Sequence, residues 1–188
     1  MLRGIVEVRF HGRGGQGVVT ASRLLAEAAL LEGKKVQSFP AFGAEREGAP
    51  IKAFTRISEA PIYIRSQIYT PNIVVVLDPT VIRSERVTEG LKDDGWLIVN
   101  TIKDPEVLKE ELDAKAKIAT VNATSIALEL LGAPRVNTPI LGTLVKSTRL
   151  VKLDSVISII KSTFKGKVAD MNIKAVERAY QETKIKGV

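Results

Sequence analysis

Six residues near the start of the chain, Gly12-Arg13-Gly14-Gly15-Gln16-Gly17, offer the plainest chemistry. Glycine tolerates positive φ and lets a ligand approach the backbone closely, and a helix that follows presents free N–H groups to an anion. Arg13 adds a guanidinium able to grip phosphate oxygens in pairs. The spacing fits G-x-G-x-x-G at positions 12, 14 and 17, so a diphosphate is one suitable occupant. The companions of a dinucleotide site are missing. An acid is wanted at the end of the second strand to hold a ribose, and that strand reads Val36-Gln37-Ser38-Phe39. Glu32 has the right spacing but falls at a helix end. A P-loop needs Gly-Lys-Ser/Thr, and here the residues are Gly17-Val18-Val19. Phosphate or partner contact is one reading of the loop. A tight strand-to-helix turn that uses glycine for geometry alone is the other.

A second segment, Phe39-Pro40-Ala41-Phe42-Gly43-Ala44-Glu45-Arg46-Glu47-Gly48-Ala49-Pro50, mixes aromatics, charges and flexible glycines. In a doubly wound sheet it lies beside the first loop, at the carboxyl edge where ligands bind. Phe42 next to Glu45 and Arg46 suits an interface anchor with a polar rim. Phe39 and Phe42 folding back into the core is the competing arrangement. His11 is read as a hydrogen-bonded turn histidine rather than a ligand contact, and Asp78 as the cap of the helix after it. Asn137-Thr138-Pro139 starts a helix. No nucleophile, base and acid come together in the sequence, so the chain reads as a ligand-presenting or docking protein rather than a self-contained catalyst.

The elements that must position these loops follow from periodicity. Strands are expected at Ile5 to Phe10, Val36 to Phe39, Ile51 to Ile57, Ile73 to Leu77, Trp96 to Val99 and Ile118 to Val121. The wholly apolar Ile73-Val74-Val75-Val76-Leu77 is typical of a strand covered on both faces. Helices are expected from Gly14 to about Leu31, over Val81 to Leu91, over Lys103 to Ala114 with Asp104 as N-cap, and over Ala123 to Leu131, closed by Gly132. Thr138 to Lys146, Val156 to Phe164 and Ile173 to Lys184 make a helical tail. The fold class is therefore α/β, an open, mostly parallel, doubly wound (Rossmann-like) sheet with a helical C-terminal part.

Composition narrows the function. The 188 residues suit one domain, and 45% are hydrophobic, enough for a core without staples. Cysteine is absent, which removes disulfides, thiol nucleophiles and cysteine-ligated iron–sulfur clusters from this chain. A lone histidine makes a zinc centre a poor fit. The net charge of +7 is spread along the chain, and few aromatics are available to stack bases, so no nucleic-acid partner is expected. No apolar run reaches the ~18 residues of a membrane span. The N-terminus lacks the apolar stretch of a signal peptide, so a cytoplasmic location is expected.

Val8-Arg9-Phe10-His11-Gly12-Arg13-Gly14-Gly15-Gln16-Gly17, followed by Phe39-Pro40 and Gly48-Ala49-Pro50, closely resembles the gamma subunit of pyruvate and 2-oxoisovalerate ferredoxin oxidoreductases. The likeness extends over most of the chain, including Val74 to Pro79 and Asn137 to Gly142. It implies one gamma-type domain over residues 1–188. It also implies an enzyme that oxidatively decarboxylates a 2-oxoacid, pyruvate foremost, to an acyl-coenzyme A and passes electrons to ferredoxin. Thiamine diphosphate, magnesium and iron–sulfur clusters would reside on the alpha, beta and delta partner subunits, with coenzyme A as co-substrate. Under this resemblance Gly12, Arg13, Gly14, Gly15, Gln16 and Gly17 form a loop for coenzyme A phosphates or for a partner. Phe42, Gly43, Glu45, Arg46 and Gly48 become subunit-interface residues, and no residue of this chain is catalytic or metal-binding. Beta subunits of indolepyruvate oxidoreductases share a related glycine loop. They and a free-standing nucleotide-binding Rossmann-like protein are the alternatives.

Overall fold

A computed structural model describes residues 4–41 and 47–186. The first strand, β1 (Val6–Arg13), runs on past Phe10 because His11, Gly12 and Arg13 pair with Lys52, Ile51 and Pro50 of β3 (Pro50–Ser58). Helix α1 (Val18–Leu31) starts only after the glycines, with Gly17 at its N-cap in the left-handed region (φ 77°). β2 (Lys35–Pro40) follows the stop at Gly33. β4 (Ile73–Val76), β5 (Trp96–Asn100) and β6 (Lys117–Val121) fall where the apolar runs place them.

Among the described residues the sheet has seven strands, in the order β2-β3-β1-β4-β5-β6-β7. β1, β4, β5 and β6 pair in parallel, while β3 is antiparallel to both of its neighbours, which leaves β2 running with β1. The sheet is thus mostly parallel but mixed. A simple doubly wound order would seat β2 beside β1; here the β2–β3 hairpin folds back so that β3 takes that place. A further strand, β7 (Lys184–Lys186), is antiparallel to β6 and closes the far edge just where the expected last helix ends; nothing in the sequence signals it.

Helices cover both faces. Val8, Phe10, Ile73, Val75, Ile98 and Ala119 face α1 and a layer made of α4 (Ala123–Leu131), α5 (Pro139–Thr148), α6 (Leu153–Thr163) and α7 (Gly166–Glu182). Val74, Val76, Leu97, Val99 and Ile118 face the opposite way, toward Val81 of α2 (Val81–Glu85) and Leu108 of α3 (Pro105–Glu111). Burial on both sides explains the unbroken apolar runs, and each such side chain contributes about 1.5–3 kcal/mol.

Several helices differ from expectation: α7 begins at Gly166, seven residues before the expected Ile173, and α3 is shorter at both ends than Lys103 to Ala114. α2 stops at Glu85 instead of reaching Leu91, because Arg86 turns left-handed (φ 44°) and the carbonyls of Val87 and Glu89 accept from the buried Arg9 guanidinium at 3.1 and 2.6 Å. Asp104 occupies the N-cap position of α3, but its carboxylate caps nothing and pairs with Lys184 Nζ at 2.6 Å, holding β7 in place. In the helical layer, α5 and α7 touch backbone to backbone at Gly142. A Cβ there would lie 2.9 Å from Tyr180 N and closer still to Val176 O.

Candidate functional site

The two loops singled out in the sequence meet at the carboxyl edge of the sheet. β1 and β3 are neighbours, and their pairing continues beyond the strands. Gly14 donates to Ala49 O at 2.9 Å, Gly48 donates to Gly14 O at 3.2 Å, and Gly14 bridges to Glu47. Phe42, Gly43, Glu45 and Arg46 lie outside the described residues. Gly48 is described and sits exposed in the left-handed region (φ 77°), directly against the glycine loop. Phe39, within β2, packs against Phe54 of β3 with ring centroids 5.2 Å apart and the rings tilted by 37°.

The glycines of the motif divide by what surrounds them. A Cβ at Gly12 would sit 2.6 Å from Val18 Cγ2 and 3.3 Å from Leu77 Cβ, so this glycine lets helix and strand pack closely. Gly17 carries the positive φ that turns the chain into α1, and a Cβ there would meet the Asn137 amide at 2.7 Å. Asn137, just before α5, therefore lies over the loop: two sequence motifs 120 residues apart form one site. Gly15 (φ 88°) is exposed, with only Glu47 near it, and makes the tip of the loop.

A polar knot ties the loop to the end of β4. Gln16 Oε1 accepts from Arg13 N at 2.8 Å, and Gln16 Nε2 donates to Asp78 Oδ2 at 2.7 Å. Asp78 Oδ1 accepts from Thr80 N at 2.9 Å and from Thr80 Oγ1 at 2.7 Å, closing the turn into α2 as a capping acid does. Arg13 Nε donates to Thr80 Oγ1 at 3.0 Å, with Asp78 Oδ2 at 3.5 Å, and Nη1 donates to Gly48 O at 3.0 Å. Burial pushes the Asp78 carboxyl up, but hydrogen bonds from Thr80 and Gln16 and the nearby Arg13 charge outweigh it and hold the group below its ordinary range. Much of Arg13 is thus engaged inside the chain, beside a fixed negative charge.

His11 is not in a turn. It is buried within β1, and its Nε2 accepts from Arg9 Nε at 2.9 Å. Its Nδ1 has no partner among the described residues. Burial, then the charges of Arg9 and Lys52, push its pKa down to about 3, so the imidazole is neutral and serves to orient Arg9. Glu32 is committed as well: Oε1 accepts from Lys152 N at 2.6 Å at the head of α6, and Oε2 pairs with Lys34 Nζ at 2.8 Å. It is not free to hold a ribose.

Beside the knot, a crevice of about 400 Å³ opens where the strand order reverses between β1 and β4. Gly15, Gln16, Asp78, Asn100, Thr124 and Arg135 line it. Asn100 spans two strand ends: its Nδ2 donates to Leu77 O at 2.8 Å and to Thr124 Oγ1 at 2.9 Å. Arg135 is exposed at the rim. Sequence reasoning missed Asn100, Thr124 and Arg135. A polar residue ending the buried Trp96–Val99 run was the one available signal. Among the described residues, no three acidic or histidine side chains gather to hold a metal ion, and no helix is long and apolar enough to cross a membrane.

Residues 7–182 match the pyruvate ferredoxin/flavodoxin oxidoreductase family. The chain is 56% identical over 182 residues to the pyruvate/ketoisovalerate oxidoreductases common subunit gamma of Pyrococcus abyssi, covering 96% of this chain and 98% of that one. It is 50% identical over 178 residues to the pyruvate synthase subunit PorC of Methanocaldococcus jannaschii, covering 95% and 97%. The crystal structure of the pyruvate oxidoreductase subunit PORC from Thermotoga maritima superimposes with a TM-score of 0.88 at 42% identity, covering 98% of this chain and all of that one.

Proposed function

This chain belongs to the pyruvate ferredoxin/flavodoxin oxidoreductase family, and we propose that it is the gamma subunit of a 2-oxoacid:ferredoxin oxidoreductase, with pyruvate the foremost substrate. It is an enzyme subunit and not a catalyst by itself. Relatives spanning nearly its whole length carry gamma-subunit or PorC names, which favours this reading over an indolepyruvate beta subunit or a free-standing nucleotide-binding protein. Residues 1–188 are read as one gamma-type domain working in the cytoplasm beside alpha, beta and delta subunits, with ferredoxin as the acceptor.

Without cysteine the chain offers no ligands for a cysteine-held cluster, and its described residues offer no cluster of acids for magnesium. In this reading these groups and thiamine diphosphate are carried by the partners, as the resemblance to the gamma subunits implies. Thiamine diphosphate, where it is bound, supplies the electron sink for decarboxylation. This chain contributes a wall. The knot of Arg13, Gln16, Asp78 and Thr80 holds the Gly14–Gly15 tip and the Gly48 turn rigid at the sheet edge. A rigid edge pressed against a partner excludes water from a charged intermediate.

The observation that carries the reading is this joining of the glycine loop and the Gly48 turn into one surface. Gly12, Arg13, Gly14, Gly15, Gln16 and Gly17 are read as the loop that meets a partner or coenzyme A phosphates. Phe42, Gly43, Glu45, Arg46 and Gly48 are read as its interface neighbours. Anaerobic purification of the tagged chain with its partners, assayed with 2-oxoacids, coenzyme A and a viologen dye, is the test. Dye reduction that requires this chain supports the subunit reading, and a chain that elutes alone and inactive refutes it. Within an active complex, Arg13→Glu separates the two uses of the loop. A raised KM for coenzyme A supports phosphate contact, and an unchanged KM leaves the loop to the partner.

A further inference from the structure

On the face of the sheet opposite α1, the irregular segment 59–72 lies over Arg56 of β3 and Gln37 of β2. Its order comes from one buried side chain. Arg56, 1% exposed, has its Nε on Glu7 Oε1 at 2.8 Å, and its two terminal nitrogens on Gln37 Oε1 and on the carbonyls of Ile64, Ser66 and Gln67. Gln37 also donates to Ile62 O at 3.2 Å. Ile68 is buried, and the Tyr69 carbonyl packs so tightly on Gly90 that a Cβ there would overlap it.

This ordered segment turns several large side chains outward. Tyr63 is 85% exposed, Tyr69 68% and Ile64 42%, and Arg65 between them is exposed too. The chain has three tyrosines, and two stand here. Tyrosine and arginine are the side chains that most often anchor protein interfaces, and a segment already fixed in shape loses little entropy on docking. Between Glu59 and Asp78 the sequence holds no acid, and Arg65 is its one charge. Exposed Lys35 lies at the same edge, opposite Ser58 in the β2–β3 pairing.

We propose that Tyr63, Ile64, Arg65 and Tyr69 form a preformed docking surface for another subunit of the enzyme, one that presents an apolar pocket rimmed by carboxylates. The surface rests on the gamma-subunit reading and is distinct from the glycine-loop edge. The charge of the segment sets the acidic rim, and its aromatics set the pocket.

The test compares wild-type chain with the double variant Tyr63→Ala/Tyr69→Ala, each co-expressed with the other subunits, with complex dissociation followed on dilution. Because both rings are exposed, the isolated variant keeps its unfolding temperature. Its apparent Kd for the complex rises by about 10- to 100-fold. Arg65→Glu also weakens assembly, and Leu128→Ala, an exposed apolar position on α4, does not. A photo-crosslinking residue at position 63 joins to another subunit. Crosslinks to a second copy of this chain, or none, overturn the proposal. So does unchanged assembly of the double variant when wild-type chain assembles, an outcome that leaves the gamma-subunit reading intact. If wild-type chain recruits no subunit, that reading fails and this surface fails with it.

Discussion

Replacing Asp78 with asparagine removes one charge and one acceptor from the knot behind the glycine loop. The remaining Oδ1 still accepts from Thr80 N and Oγ1, but the new NH₂ faces Gln16 Nε2, donor against donor, where a 2.7 Å bond stood. If Gln16 flips to relieve this, its NH₂ turns toward Arg13 N and the 2.8 Å bond there is lost instead. Either way one hydrogen bond breaks and the attraction to Arg13 goes. A hydrogen bond to a charged group contributes about 1.5–3 kcal/mol, and the Asp78 side chain is only 14% exposed, so Asp78→Asn costs about 2 kcal/mol. Urea unfolding at pH 7 measures it. The sign with pH is also fixed. A carboxyl held below its ordinary 3.8 contributes stability that is present above that value and lost as pH falls through its folded pKa. The gap between wild type and variant therefore holds from pH 7 down to about 5 and narrows as pH falls through 3.8 and below. In the assembled enzyme, a loop tip that has lost its tie lowers activity. A variant as stable as wild type at pH 7, or a gap that widens in acid, refutes the account of the knot.

Gly142→Ala tests the helical layer. Helix propensity alone favours alanine by about 1 kcal/mol, but the Cβ meets the α7 backbone, which cannot rotate aside, and overpacking of 1–3 kcal/mol wins; a lower Tm checks this. His11 stays neutral, so its imidazole NMR shifts do not move between pH 8 and 5. Because its folded pKa is about 3, its contribution is intact above 6.5 and falls by about 1.4 kcal/mol per pH unit below that until about 3; in His11→Gln this slope is missing from stability–pH curves. Arg56→Met leaves Glu7 and three carbonyls without their donor, so it costs about 3 kcal/mol or more and speeds hydrogen exchange at 62–69.

Local chemistry was legible where one signal acted alone. The apolar Ile73–Leu77 run became β4, Gly132 ended α4, and Pro139 began α5. The insertion of β3 between β1 and β2 was not legible, since hydrogen-bond partners across a sheet leave no mark in the order of residues. The shortness of α2 depends on Arg9, nearly 80 positions away in sequence, pulling on the chain after it. β7 is an edge strand of three residues, too short for any period to show. At the site, the glycine motif was visible but its division of labour was not. That Gly12 serves packing and Gly17 serves Asn137 becomes clear only once the helix and the late α5 segment are set against them.

The contact between Gly17 and Asn137 bears on how the protein is made. The nascent chain emerges from its N-terminus, so the glycine loop is synthesised long before the residue that lies over it. The residue that packs on Gly17 is added only as α5 is reached, and the strand that pairs with the outer side of β6 only with Lys184–Lys186. A chain made only as far as α4 therefore lacks the side chain that packs on Gly17.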